Sequence, residues 1–146
     1  MDTGHWILKE GVSITDKSFG FIYEITNTIS NKKYIGKKQC SSRVKRKPLK
    51  GKTRNRIDFK ESDWKTYTSS SNELIKDIQK YGKDKFEFKI LKVCDSKWAL
   101  AYFEAKEQME KDVLFREDYY NGILNMRIGK APKEELKKFN NNKVII

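Results

Sequence analysis

Two strand-like runs stand either side of a short polar turn. Residues 19–26 read FGFIYEIT and residues 32–38 read KKYIGKK, both aromatic and β-branched, with NTISN between them. Asn and Ser favour a turn there, so this stretch is committed to an antiparallel β-hairpin. With the turn centred between Thr28 and Ile29, Tyr23 is expected opposite Tyr34, Ile22 opposite Ile35, and Glu24 opposite Lys33. Directly opposed side chains share a face, so the tyrosines stand together and the two isoleucines stand on the other side. Phe21 then lies across from Gly36, where the missing side chain leaves room for a ring. On geometry alone a Tyr–Tyr pair is ordinary packing.

The rest of the composition narrows the partners. A chain of 146 residues is enough for one domain with its own core. Its net charge of +12 points to a polyanion, because each cation seated on a phosphate releases a condensed counterion. Cys40 and Cys94 are isolated and His5 is the only histidine, which argues against a zinc site, a disulfide or a His-based triad. No apolar run reaches membrane-spanning length and no signal-peptide core is present, so the chain reads as cytoplasmic, with no membrane partner.

Further along, HWILKEGVSIT reads as a short hairpin or an edge strand. The span CSSRVKRKPLKGKTRNRIDFKESD is charged and poor in apolar positions, as in a loop or an excursion with little core. SSSNELIKDIQKYG predicts a serine-capped helix stopped by Gly82, and KFEFKILKV a strand. Asp95 and Ser96 open a long helix, KWALAYFEAKEQMEKDVLFR, whose Trp98, Tyr102, Ala105, Met109 and Val113 stripe is expected to face the core. YYNGILNMRIG is a closing loop or short strand, and Pro132 opens a short terminal helix.

Ile22-Tyr23 and Tyr34-Ile35-Gly36, eleven residues apart between tyrosines, resemble the paired signature of the GIY-YIG nuclease family. AYFEAKEQ is similar to the family's metal-binding helix and YYNGI to the segment holding its asparagine; together the resemblance covers about residues 19–128. Phe21 stands where the family's first glycine is expected, with Gly20 one step earlier, and the histidine many members carry is missing. The resemblance implies an α/β (α+β) fold with a three-stranded antiparallel sheet flanked by helices. It also implies an organisation: an N-terminal extension or short hairpin at 1–18, the nuclease domain at 19–128 with a basic insertion at 40–62, and a C-terminal helix and tail at 129–146. The insertion and ESDWKTYTSSS look most like small phage-encoded members. Homing relatives usually carry a separate DNA-recognition domain after the catalytic one, and a length of 146 residues leads us to expect none.

The activity implied is a metal-dependent DNA endonuclease. Glu104 would hold one divalent ion, Mg²⁺ or Mn²⁺, matching a hard carboxylate and oxygen-rich ligands. Tyr23 would be the general base, Tyr34 would position water or phosphate, and Asn121 would brace the site. Lys37 would assist, and Lys37, Lys38, Arg43 and the metal together would lower the Tyr23 pKa. Arg43 is the expected phosphate fork, with Arg46, Arg54 and Arg56 left open as alternatives. Periodicity does not separate Glu104 from Glu107 or Glu110, and helical angles put it on the polar side of its helix, beside Gln108 and Lys111. Double-stranded DNA is the expected partner, through Lys38, Lys45, Arg46, Lys47, Lys50, Lys52, Arg54 and Arg56, contacts that fix position without reading sequence. Ser69, Ser70 and Ser71 would cap the helix or bind phosphate, Tyr67 could take the place of a site histidine, and Trp64 is expected in the core. Both strands would be cut by a homodimer or by repositioning. The setting implied is the host bacterial cytoplasm, in a homing-like role or against competing DNA. The rivals are a non-catalytic basic binding module and a structure-selective repair or restriction-type nuclease.

Overall fold

The computed structural model describes residues 2–124 and 126–143, apart from the side chains of Arg43, Asn142 and Lys143; the end of the expected tail lies outside the described residues. The element order is β1 (Trp6–Leu8), β2 (Gly20–Asn27), β3 (Lys33–Gln39), β4 (Ser41–Arg46), β5 (Arg56–Glu61), α1 (Asn72–Tyr81), β6 (Phe86–Cys94), α2 (Lys97–Glu110) and α3 (Lys133–Lys143). This is a mixed α/β fold. The main sheet runs β1-β6-β2-β3. Its β6, β2 and β3 form the three-stranded antiparallel unit, and β1 adds a fourth strand parallel to β6. The first residues are thus an edge strand and not a hairpin.

The central position of β2 explains the unbroken apolar run of Phe21, Ile22 and Tyr23: the strand is buried on both faces. Phe21, Tyr23 and Ile25 point into one core with Trp6, Trp64, Leu74 of α1, Phe86, Phe88 and Ile90. Ile22 and Ile35 point into the other, with Ala99 and Leu100 of α2, Cys94 and Val113. Burying each large side chain is worth about 1.5–3 kcal/mol, so two cores on one strand fix its register strongly. The β2–β6 pairing slips between Ile22 and Tyr23, where the partner jumps from Lys92 to Ile90. This bulge turns β6 over: Phe88 and Ile90 serve the α1 side, and Cys94 serves the α2 side. Trp64 is buried, as expected, and its carbonyl accepts the indole N–H of Trp6.

The expected long helix is corrected in both its length and its buried face. The long helix ends at Glu110, and Asp112 turns left-handed (φ 53°) into a short 3-10 turn at Val113–Phe115. Its buried residues are Ala99, Leu100, Ala105 and Gln108, while Tyr102 and Met109 are exposed. Trp98 stacks on Tyr102 at 4.9 Å and donates to the Gly129 carbonyl at 2.9 Å, so the aromatics cover the outer flank of α2 under the C-terminal segment. Small residues face the sheet because α2 lies close against it; Gly20 has no room for a Cβ, which would sit 2.8 Å from the Leu100 side chain. Of the two forms expected for the basic span, the structure shows the excursion with little core: a separate two-stranded β4–β5 sheet.

His5 stacks on Phe88 with centroids 4.0 Å apart. Burial, helped by the charge of Lys83, lowers its pKa from 6.5 to about 4. The unfolded chain therefore takes up a proton in that window before the folded one does. The stabilising contribution is full above 6.5 and is lost as pH falls towards 4. Urea midpoints measured across this window should fall with pH, and His5→Phe should flatten that part of the decline.

Candidate active site

Tyr23 lies directly across from Gly36, and Tyr34 is across from Ile25. The register is thus displaced by two residues from the expected one, and Tyr23 does not oppose Tyr34. The cause is the turn. The Asn27 amide N–H donates to the Lys32 carbonyl, and its side-chain oxygen accepts from the N–H groups of Ile29 and Ser30. Asn31 takes a left-handed φ of 61°, which Asn tolerates, so the turn is longer than the minimal one. A two-residue shift keeps every side chain on its face, and the tyrosines become diagonal neighbours, 6.1 Å between centroids at 34°. The room at Gly36 is used by Tyr23, not Phe21: a Cβ there would meet the Tyr23 hydroxyl at 2.5 Å and the Tyr34 ring at 2.8 Å.

The segment before α1 closes this face. The Tyr67 ring meets Tyr23 edge-on at 6.2 Å. Lys38 lies 4.2 Å over the Tyr67 ring and pairs with Asp63 at 2.7 Å. Ser71 caps α1 by accepting from the Leu74 N–H. Ser69 is buried with φ 110°, a conformation that side chains rarely adopt, and its hydroxyl accepts from the Ser71 N–H at 2.9 Å. Ser69 also hydrogen-bonds both phenols, and Ser70 bonds Tyr34. Sequence reasoning gave Ser69 only a cap or phosphate role. The signal in the sequence was redundancy: one serine suffices as a cap, which leaves two for something else.

On the opposite side of β3, Glu104 of α2 faces Lys37, with Nζ 3.8 Å from its carboxylate. Its side chain is only 18% exposed, so the polar-side expectation is corrected: this flank of α2 packs on the sheet edge. Burial raises the Glu104 pKa, with Lys37 partly opposing. Burial also holds the Tyr23 phenol well above 10, assisted by Tyr34 and Tyr67 and eased by the Ser69 hydrogen bond. In the free protein the direction is thus upward. Tyr34 is raised for the same reason, with Ser70 opposing. The Glu104 charge reaches both phenols and disfavours their ionisation.

Asn121 is buried and binds Ile35 at both ends: its Nδ2 donates to the Ile35 carbonyl at 2.8 Å, and its Oδ1 accepts from the Ile35 N–H at 3.0 Å. Gln108 adds a third bond, donating to the same carbonyl at 2.9 Å. Gln108 closes the AYFEAKEQ run, yet no role was expected of it; its signal is a position one helical turn after Glu104.

The remaining candidates divide in two. Lys38, Tyr67, Ser70 and Ser71 lie at the tyrosines, while Lys45, Arg46, Lys47, Lys50, Lys52, Arg54 and Arg56 belong to the β4–β5 hairpin and its connecting turn. Arg46 pairs with Asp58 at 2.9 Å, and the Arg56 Nε donates to the Lys47 carbonyl at 3.2 Å. Arg43 sits on β4 opposite Phe59, and its side chain lies outside the described residues. Among the described residues no group of three or more His, Cys, Asp or Glu could hold a metal ion. A bound ion would therefore rely on Glu104 plus water and substrate oxygens, a set that suits Mg²⁺, which keeps waters and takes one or two carboxylates.

Residues 6–124 match the family profile described as "Putative endonuclease segE, GIY-YIG domain". No curated protein and no solved structure matches the chain.

The contact at Gly36 yields a test of the tyrosine packing. Gly36→Ala should cost about 1–3 kcal/mol of unfolding free energy by overpacking. Equilibrium urea denaturation would read this as a lower midpoint with an unchanged slope.

Proposed function

Because the chain belongs to the GIY-YIG nuclease family, we propose that it is a divalent-metal-dependent endonuclease hydrolysing phosphodiester bonds of double-stranded DNA at the edge of β3, with Tyr23 and Tyr34 on one face and Lys37 and Glu104 on the other. The observation that carries the reading is Glu104: a largely buried carboxylate, paired at 3.8 Å with one lysine, whose charge reaches both phenols. A carboxylate whose pKa burial raises, beside a cation at a sheet edge, is the kind of group that functional sites collect.

Mg²⁺ or Mn²⁺ held by Glu104 would supply Lewis acidity at a phosphate oxygen and at the leaving 3′-oxygen. Lys37 balances the Glu104 charge in the resting protein and turns to phosphate when DNA arrives. Arg43 grips the phosphate with its planar fork and offsets the charge that develops in the transition state. Tyr34, bonded to Ser69 and Ser70, positions the attacking water. Tyr23 accepts the water's proton as phenolate. Burial keeps its phenol protonated at rest, so it acts as a base only where cations at the site offset that burial. Asn121 keeps β3, and with it Tyr34 and Lys37, in place. The reading extends to a phage-encoded enzyme acting on competing DNA in a bacterial host, cutting both strands as a homodimer or by repositioning.

Supercoiled plasmid incubated with Mg²⁺ or Mn²⁺ tests this. Tyr23→Phe and Glu104→Gln should each slow cutting by about 100-fold or more, the range of acid–base and charge-stabilising groups. Binding measured on the same DNA should persist, and a chelator should stop cutting by the wild type. Tight binding without cutting under every metal tried would instead mark a non-catalytic binding module.

A further inference from the structure

Strands β4 and β5 leave the body at a single neck. There the Ser62 N–H donates to the Cys40 carbonyl at 2.9 Å, and the Ser62 hydroxyl donates to the Gln39 carbonyl at 2.6 Å. Beyond it, Ser41↔Glu61 to Arg46↔Arg56 pair as a two-stranded ribbon. Every residue of β5 is exposed, including Ile57 at 51% and Phe59 at 63%. A lone two-stranded hairpin is marginal in water, and exposed apolar side chains on a free edge invite aggregation. Something that covers this face would resolve both costs.

The charge says what covers it. Residues 40–62 hold nine lysines and arginines against two acids, so they contribute +7 of the chain's +12. Such a density fits a polyphosphate backbone and disfavours an ordinary protein surface. Phosphate contacts alone, however, give no reason for Ile57 and Phe59. These two alternate along β5 and so share a face, with Lys45 opposite Ile57. A two-stranded ribbon fits the major groove, where apolar side chains meet the thymine methyl group.

We propose that the β4–β5 ribbon lies in the major groove of duplex DNA, with Ile57 and Phe59 against base edges and its cations on the flanking phosphates. The ribbon then gives the enzyme a sequence preference, beyond the positioning that phosphate contacts supply. This rests on the nuclease reading, since it takes DNA as the ligand.

The test starts from a pool of duplexes randomised over about 15 base pairs, somewhat more than one turn. Duplexes bound by the full-length wild type are recovered and sequenced. Affinity is then measured for a recovered duplex, for the same duplex with thymine replaced by uracil, and for unselected DNA. Ile57→Ser/Phe59→Ser is measured beside the wild type, with thermal melting to confirm folding. The expected result is an enriched sequence bound about tenfold more tightly than unselected DNA. Uracil should erode that preference in the wild type, and the double variant should bring the ratio close to one. Uniform binding with cutting intact would overturn the groove reading and leave the nuclease reading standing. The groove reading also falls if uracil and the double variant change nothing, which would assign the apolar pair to a protein partner. Failure to bind or cut any duplex would overturn both readings.

Discussion

Strand β3 is the edge of the sheet, and its outward peptide groups would be open to water or to another chain. The residues after α2 close it. The Lys33 N–H donates to the Asp118 carbonyl, and the Tyr120 N–H donates to the Lys33 carbonyl, a short parallel bridge. One step on, the main chain departs and the Asn121 carboxamide takes over, giving Ile35 both the acceptor and the donor that a peptide would offer. An amide side chain is the natural choice because it carries both functions, whereas aspartate could only accept. With Ile35 held there and from above by Gln108, Tyr34, Gly36 and Lys37 are fixed on either side of it. The site depends on this one peptide being held at an otherwise open edge.

The tyrosine face shows what sequence can and cannot convey. Alternation of residues assigns faces, and a hairpin displaced by two residues keeps all of them, so the side-by-side tyrosines were legible. The partner of each residue was not, because it is set by how many residues the turn uses. Asn27 satisfies the turn with its side chain and Asn31 adopts a left-handed conformation, choices that several readings of NTISN would allow. The same displacement moved the vacancy at Gly36 from Phe21 to Tyr23.

Helix α2 was read less well, and the reason is physical. A stripe of large aromatics normally marks the buried face of a helix, but a helix packed close to a sheet buries small residues. Ala99 and Ala105 admit the sheet, while Trp98 bonds to Gly129 on the outer flank and stacks on an exposed Tyr102. Glu104 and Gln108 therefore face the sheet edge even though they are polar, and helical periodicity alone could not choose Glu104 over Glu107 or Glu110. The family motif made that choice, on information that periodicity does not carry. The ribbon was also hidden, since VKRKPLKGKTRNRIDF offers only the Ile57–Phe59 pair at strand spacing, too short a run to mark a half-buried strand. A hairpin that packs on no core has no need of a longer one.

Burial and basicity pull against each other at Tyr23. The ring is 1% exposed, which anchors β2 in the core yet penalises the phenolate that a general base requires. Glu104 adds to that penalty, so the resting site disfavours a third negative group beside the carboxylate and an incoming phosphate. In the free protein the two phenols are therefore neutral and packed, and the aromatic core keeps its stability. On the proposed function, cations arriving with DNA would have to supply the balance that burial withholds. A chain with its lysines clustered around Tyr23 would have a readier base, but it would lose the packed aromatic core that holds the strand in register.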